Sequence, residues 1–372
     1  MNHRNTKSHE PFVRVAKRAN LTLGVRLTAR LGAVVLALLV DALFILAVTG
    51  LNPIEVYATM FEGTFSSVRR FATALRDWAP LLLIAIALAP AFKMRFWNIG
   101  AEGQVLMGAL GSALVMVYCT QIFTGPWLFV AMLAASVILG GLWGLIPALF
   151  KAKFNTNETL FTLMMNYVAI KFVSCFYNLW RGQASSLGKL NKGSKLGWFQ
   201  PISLFGVNAT YTITVIAAVV MVFVMLAYMR YTKHGYEISV VGASQRTAQY
   251  AGINVSKVII RTMLISGILC GVTGFLLVGG KDQTISVGTA GGNGFTAIIV
   301  AWMAKFNTLS MALISFLLTF LDKGASQIAS SYHNLNDYAA DIITGVILFF
   351  LIGCEFFVQY RLVFRGRHKE AK

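Results

Sequence analysis

Residues 127–150 read Trp-Leu-Phe-Val-Ala-Met-Leu-Ala-Ala-Ser-Val-Ile-Leu-Gly-Gly-Leu-Trp-Gly-Leu-Ile-Pro-Ala-Leu-Phe, without an acidic or basic side chain, and Lys151 and Lys153 follow at once. A helix needs about 20 predominantly apolar residues to cross the hydrocarbon core of a bilayer, and this run supplies them. Working outward, comparable runs occur at 31–51, 78–92, 103–122, 159–179, 210–230, 262–280, 294–304, 309–322 and 339–358. Segment 294–304 is too short to cross alone. The expected fold is therefore all-α, a polytopic transmembrane helical bundle of about 10 membrane segments, some of them broken or re-entrant.

Composition excludes the soluble alternatives. Of the 372 residues 57% are apolar or aromatic and 12% are charged, against about 25% charged in soluble domains, and the mean hydropathy is +0.68. A soluble enzyme, a nucleic-acid-binding domain and a disordered chain are ruled out. The net charge of +18 does not form one basic surface. It sits in short clusters between apolar runs, as the positive-inside rule places it. With an even number of spans and both termini in the cytoplasm, 22 basic residues fall inside, nine fall outside, and Lys171 lies within a span.

That arrangement gives a basic cytoplasmic N-terminus at 1–30, a transmembrane domain at 31–360 and a basic cytoplasmic tail at 361–372. Residues 54–75 carry Ile54, Tyr57, Phe61, Phe65, Val68, Phe71 and Leu75 at spacings of three and four, which predicts an amphipathic helix along the outer face. Residues 180–209 are expected as an external loop and 231–261 as a polar cytoplasmic loop with helical character. Asp41 interrupts the first span, to be paired in the bundle or placed near an interface. Asp337 and Asp341 share a helical face at the start of the last span.

Catalytic chemistry has little to stand on. There is no G-x-x-x-x-G-K-[ST], H-E-x-x-H or G-x-S-x-G, and His3, His9, His234, His333 and His368 are not paired at i, i+4. Cys119, Cys175, Cys270 and Cys354 lie in apolar segments without metal-type spacing. No catalytic residue, metal or cofactor is expected.

The loop His234–Asn254 is the most informative polar stretch. Gly235 and Gly242 punctuate it, Ser244 is placed to cap a short helix running to Tyr250, and Gly252 is placed to end it in the left-handed conformation. With its small residues Ala243, Ala248 and Ala251, this helix has a face that a cytoplasmic partner can approach closely; the plainer reading is a connecting helix.

The run Gly242-Ala-Ser-Gln-Arg-Thr-Ala-Gln-Tyr-Ala-Gly-Ile-Asn254 resembles the coupling-loop signature of permease subunits of bacterial ABC importers for simple sugars and nucleosides. Phe96-Trp-Asn-Ile-Gly-Ala-Glu-Gly-Gln104 resembles the nucleoside branch's F-N-I-G-A-E-G-Q, with Trp97 inserted. Asn157-Glu-Thr-Leu-Phe-Thr-Leu-Met-Met-Asn-Tyr167 resembles its N-E-x-x-x-T-x-M-L-N-Y, with Met165 where Leu is usual. Gly294 to Gly324 is similar to its Gly-rich late segment. The resemblance implies an inward transporter of a nucleoside or related small polar solute in the bacterial plasma membrane, without ATPase activity of its own. Its implied partners are cytoplasmic ATP-hydrolysing subunits, a second permease (identical or homologous) and an extracytoplasmic substrate-binding protein, with membrane lipid around it and no nucleic acid. The coupling residues are then Gly235, Glu237, Gly242, Ala243, Ala248, Tyr250, Ala251 and Gly252. A ribose- or galactose-type sugar permease is the near alternative, and an ion-coupled transporter using Asp41, Glu102 or Asp341 the distant one.

The residues themselves also point to a pathway. Gly-interrupted segments recur in the two halves, at Gly100, Gly103, Gly108 and Gly111 and at Gly288, Gly291, Gly292 and Gly294, and such breaks mark transport sites. The candidate pathway residues are Asn98, Gly100, Glu102, Gln104, Asn157, Glu158, Asn166, Tyr167, Gln283 and Asn293. Their neutral donors and acceptors suit a polyhydroxylated or heterocyclic solute. Glu102 and Glu158 have a second reading, as caps of helix ends or partners of Arg95 or Lys153. Phe96, Trp97, Tyr167 and Trp302 either stack on a base or form an interfacial belt.

Overall fold

The computed structural model describes residues 13–17, 23–204, 206–332 and parts of 342–364. The expected span at 339–358, with Asp337, Asp341 and Cys354, lies largely or wholly outside the described residues. Seven described helices are long and apolar enough to cross a membrane, so the chain is a polytopic helical membrane protein.

Two compact units are present. In the first, residues 1–63 and 321–372, strand β1 (Val13–Lys17) pairs antiparallel with β4 (Tyr360–Phe364), Val13 opposite Phe364. Helix α1 (Leu23–Thr49) begins before its expected apolar run. Helix α2 (Pro53–Phe65) is tied to it by Tyr57 Oη, which donates to Leu38 O at 2.5 Å. Asp41 is fully buried, and among the described residues neither of its carboxyl oxygens has a hydrogen-bond partner.

In the second unit, residues 64–320, helix α3 (Val68–Lys93) starts where Ser67 Oγ accepts from Arg70 N at 3.2 Å. The expected single helix over 54–75 is therefore two. A Ser66–Ser67 break separates α2 from a helix whose first turns are 68–75, because Ser67 satisfies a backbone N–H that a continuing helix would otherwise bond. Helices α4 (Ala101–Tyr118), α5 (Pro126–Phe154) and α6 (Glu158–Arg181) follow. A loop with a small hairpin, β2 (Ile202–Leu204) and β3 (Val207–Ala209), leads to α7 (Thr212–Tyr231). The stretch 231–261, expected to have helical character, is made of α8 (Lys233–Ala243), α9 (Gln245–Tyr250) and the first turns of α10 (Val255–Leu276). A π-helical turn (Leu277–Lys281), an irregular segment and α11 (Asn293–Met303) complete the second break. Helix α12 (Thr308–Ser331) is longer than the run at 309–322.

Helices α3, α4 and α10 form the enclosed centre, while α5, α6 and α7 expose much of their apolar surface. Glycine sets this arrangement. A Cβ on Gly140 of α5 would stand 2.6 Å from Gly271 Cα and 2.7 Å from Gly267 O of α10. Bare backbones approach until dispersion contacts form along the crossing, the means of helix association available where lipid removes the hydrophobic drive. Gly103, Gly108 and Gly111 belong to this packing: they lie inside the continuous helix α4, Gly108 against Gly271 and Gly111 against Ala135. Only Gly100 stands at the first break.

Candidate solute pathway and coupling site

The first break runs from Lys93 to Ala101. Helix α3 ends in a pair of reversed bonds, Arg95 N to Phe92 O and Phe96 N to Ala91 O, both 2.9 Å, with Arg95 left-handed at φ 62°. The freed chain is then held by side chains. Asn98 Oδ1 accepts from Gly100 N (3.0 Å) and from Gln104 Nε2 (3.3 Å), and Asn98 Nδ2 donates to Gln104 Oε1 and Ser266 Oγ, each 3.4 Å. Asn166 of α6 donates to Ile99 O (2.9 Å) and accepts from Gly103 N (2.8 Å), while Ile99 N donates to Thr162 Oγ1 (3.2 Å). Every one of these side chains is buried.

Glu102 reaches across to the second break. Its carboxylate oxygens accept from Gly292 N (2.9 Å) and Gly294 N (2.8 Å) at the start of α11, where Gly292 is left-handed at φ 74°. A negative charge on the unpaired N–H groups of a helix start is favourable twice over, as acceptor and as counter to the macrodipole. Of the two readings of Glu102, the geometry shows the cap.

Asn98, Gly100, Glu102, Gln104 and Asn166 thus come together, with Asn293 between the two glycines that Glu102 binds, while the other pathway candidates lie elsewhere. Asn157 caps α6, accepting from Leu160 N at 3.2 Å, and Glu158 pairs with Lys151 (2.9 Å) rather than with Arg95 or Lys153. Tyr167 is exposed on α6. Asn293 opens α11, half-buried. Gln283 is buried near the π-helical turn, donating to Thr210 Oγ1 (3.1 Å). Among the aromatics, Phe96 is core, and Trp97 stacks on Trp302 with centroids 5.0 Å apart.

At the candidate coupling segment, Thr232 Oγ1 caps α8, accepting from Gly235 N (3.1 Å), and Ser244 Oγ caps α9, accepting from Thr247 N (3.2 Å). Gly252 is left-handed at φ 76°. Gly242 is needed for a close approach, since a Cβ there would overlap the Lys93 carbonyl. Gly235 is likewise pressed against the end of α7. Glu237 is bound by Arg261 at 2.7 Å, and this bond holds its carboxyl below the usual range. One expectation is corrected: Ala248 is not on the outward face. It is fully buried with Met94, Phe96, Ile238, Val241 and Val258, because a six-residue helix must turn its small apolar side onto the bundle to be held at all. Ala243, Tyr250, Ala251 and Gly252 are exposed, Tyr250 at 94%.

Sequence reasoning did not assign Ser266, or the Thr162 of the 157–167 motif, to the site; both are buried hydroxyls, the first bonded to Asn98 and the second to Ile99 N. It also missed the contact between Gly242 and the end of α3. Segment 93–98 is therefore the meeting point of the helix pair α8–α9 with the polar network.

A polytopic helical bundle with broken helices and a capped helix pair at one end has the build of a transport subunit. The chain belongs to the family described as branched-chain amino acid transport system, permease component, whose model matches residues 70–352. It is 31% identical to the guanosine ABC transporter permease protein NupP of Bacillus subtilis (strain 168), over 86% of this chain and 91% of that protein. It is 27% identical to the nucleoside ABC transporter permease protein NupB of Lactococcus lactis subsp. cremoris, over 89% and 91%. Identity is also 27% to the glucose ABC transporter permease protein TsgB13 of Haloferax volcanii, over 85% of each chain. The chain is a multi-pass membrane permease subunit of an ABC importer.

Proposed function

We propose that the protein carries a nucleoside or related neutral polar solute inward, with ATP hydrolysed by separate cytoplasmic subunits that grip α8–α9. The observation that carries this reading is the continuous packing from Ala248 and Val241 through Met94 and Phe96 to Asn98, and from Glu102 to the start of α11. A push on α8–α9 is delivered to the two broken segments, and the breaks are where a transport path can be opened. The guanosine and nucleoside permeases among the relatives support the solute class. The exposed residues Ala243, Tyr250, Ala251 and Gly252 form the face for the ATP-hydrolysing partner. The pairing of β1 with β4 supports termini on one side of the membrane, and the Lys and Arg distribution supports that side being cytoplasmic. A second permease and an extracytoplasmic solute-binding protein complete the system.

The test is uptake into proteoliposomes holding the assembled complex. Radiolabelled guanosine should enter only with ATP and the solute-binding protein, and excess glucose or ribose should not compete. Competition by sugar would favour the sugar reading, which the Haloferax volcanii relative supports. Uptake driven by an ion gradient without ATP would refute both.

A further inference from the structure

The irregular segment Asp282–Gly292, which joins the π-helical turn to α11, does not lie at the membrane surface. Gly294 is pressed on the Glu102 backbone. Glu102 stands about 9 Å along α4 from Gly108. Gly108 meets Gly271, which also meets Gly140 near the middle of the charge-free run 127–150. The segment therefore runs from one end of the bundle past its middle. Irregular backbone at that depth is stable only where protein buries it or water reaches it, because lipid offers no hydrogen bonds.

This stretch is not covered on all sides. Val287, Gly288 and Gly291 are exposed in the segment, and Phe295, Ile299 and Trp302, at spacings of four and three, are exposed on one face of α11. On the opposite face Gly294, Ala297, Ala301 and Ala304 are buried. No charged side chain occurs from Gln283 to Ala304. The bonding groups beside the uncovered face are open. Val287 N and Gly291 N donate to no group among the described residues, and the half-buried Asn293 amide makes no hydrogen bond among them. A Cβ at Gly291 would stand 3.6 Å from Asn293 Nδ2, so this amide borders the exposed backbone. Phe295, 44% exposed, makes no ring contact among the described residues, whereas Trp302 is stacked on Trp97. Lipid cannot bond the open groups, and a permanent protein cover would have to pair each of them. Water and a passing neutral solute need not.

We propose that Asn293 and Phe295 form a base-recognising subsite of the solute path: the Phe295 ring stacks on the heterocycle and the Asn293 amide bonds its polar edge. Nucleic-acid-binding proteins read unpaired bases with this combination of an aromatic face and edge hydrogen bonds, and every base has a face to stack. The inference rests on the reading that the solute is a nucleoside.

The experiment is guanosine uptake by the full complex, reconstituted with its ATP-hydrolysing subunits and solute-binding protein. Phe295→Leu keeps an apolar side chain but removes the ring, and should lower uptake about tenfold, as the loss of one stacked contact does. Phe295→Tyr, which keeps the ring, should transport as the wild type does. Asn293→Ala should lower uptake several-fold. Normal uptake by Phe295→Leu, or equal losses in Phe295→Leu and Phe295→Tyr, in complexes shown intact by size-exclusion chromatography, would overturn the proposal. A second measurement labels Phe295→Cys in nanodiscs during ATP turnover, with Cys119, Cys175, Cys270 and Cys354 replaced by Ala. A charged, water-soluble thiol reagent should react. Reaction only with a lipid-soluble maleimide would place the ring in lipid, and reaction with neither would place it beneath a partner protein; either result overturns the subsite. A wild-type complex that imports sugar and not guanosine refutes the functional reading itself. Guanosine uptake that ignores Phe295→Leu refutes only the subsite.

Discussion

Replacing Glu102 with Gln tests whether the two broken segments are joined as described. The carboxylate accepts two backbone N–H groups, at 2.9 and 2.8 Å, from a position only 5% exposed. Gln keeps one acceptor oxygen and turns an NH₂ toward the other N–H, leaving that donor unsatisfied. A charge-assisted bond contributes about 1.5–3 kcal/mol and a buried orphan costs about 1–3 kcal/mol, two views of one loss. The missing charge at the helix start adds up to about 1 kcal/mol. The start of α11 should therefore be released by about 2–4 kcal/mol. Amide exchange over Asn293–Ala297, measured on the complex in nanodiscs, should speed by about 30-fold or more, 1.4 kcal/mol being a factor of ten in an opening equilibrium. Uptake should fall while ATP hydrolysis persists. Unaltered exchange at α11, with normal uptake, would refute the claim that Glu102 holds the second break to the first.

Three other outcomes follow from the packing. Ala248→Glu places a charge in an apolar core and should prevent assembly, whereas Tyr250→Glu, at a fully solvated position, should assemble and insert normally but lose solute-stimulated ATP hydrolysis; pull-down and ATPase assays separate the two. Gly140→Ala drives a methyl into the Gly271 and Gly267 backbone and should destabilise the bundle by about 1–3 kcal/mol. Gly141→Ala meets no backbone, only side-chain carbons of Ile268 and Leu264 at 3.2 and 3.3 Å, and should be better tolerated in the same thermal-unfolding assay. Because Arg261 lowers the folded pKa of Glu237 from 4.5, the pair stabilises α8 above that value and its contribution is lost as pH falls below it. The protection difference between wild type and Arg261→Ala should be full at neutral pH and close in acid; a gap independent of pH would remove the ion pair from the account.

The apolar run at 127–150 and its repetitions were enough to read a polytopic helical bundle, because a bilayer permits few other structures for such a chain. The caps were legible for the same local reason: Ser244 and Gly252 bound α9 through bonds and dihedrals within a few residues of themselves. Position along the chain also placed the break near Gly288–Gly294. Tertiary structure alone decided what each polar or small residue faces. Gly103, Gly108 and Gly111 look like a broken helix in one dimension, but they are a continuous helix pressed on α6, α10 and α5 in turn, since only a close neighbour gives a missing Cβ its purpose. Ala248 and Ala251, three apart, look like one outward face; one is core and the other solvent, because the groove formed by Met94, Phe96 and Ile238 has no local signal. Glu102 and Gly292 are 190 residues apart, and no spacing rule reaches that far. The membrane's demand that each segment satisfy its own backbone makes the helices readable from sequence, whereas the bonds that join one break to another exist only once the helices have packed.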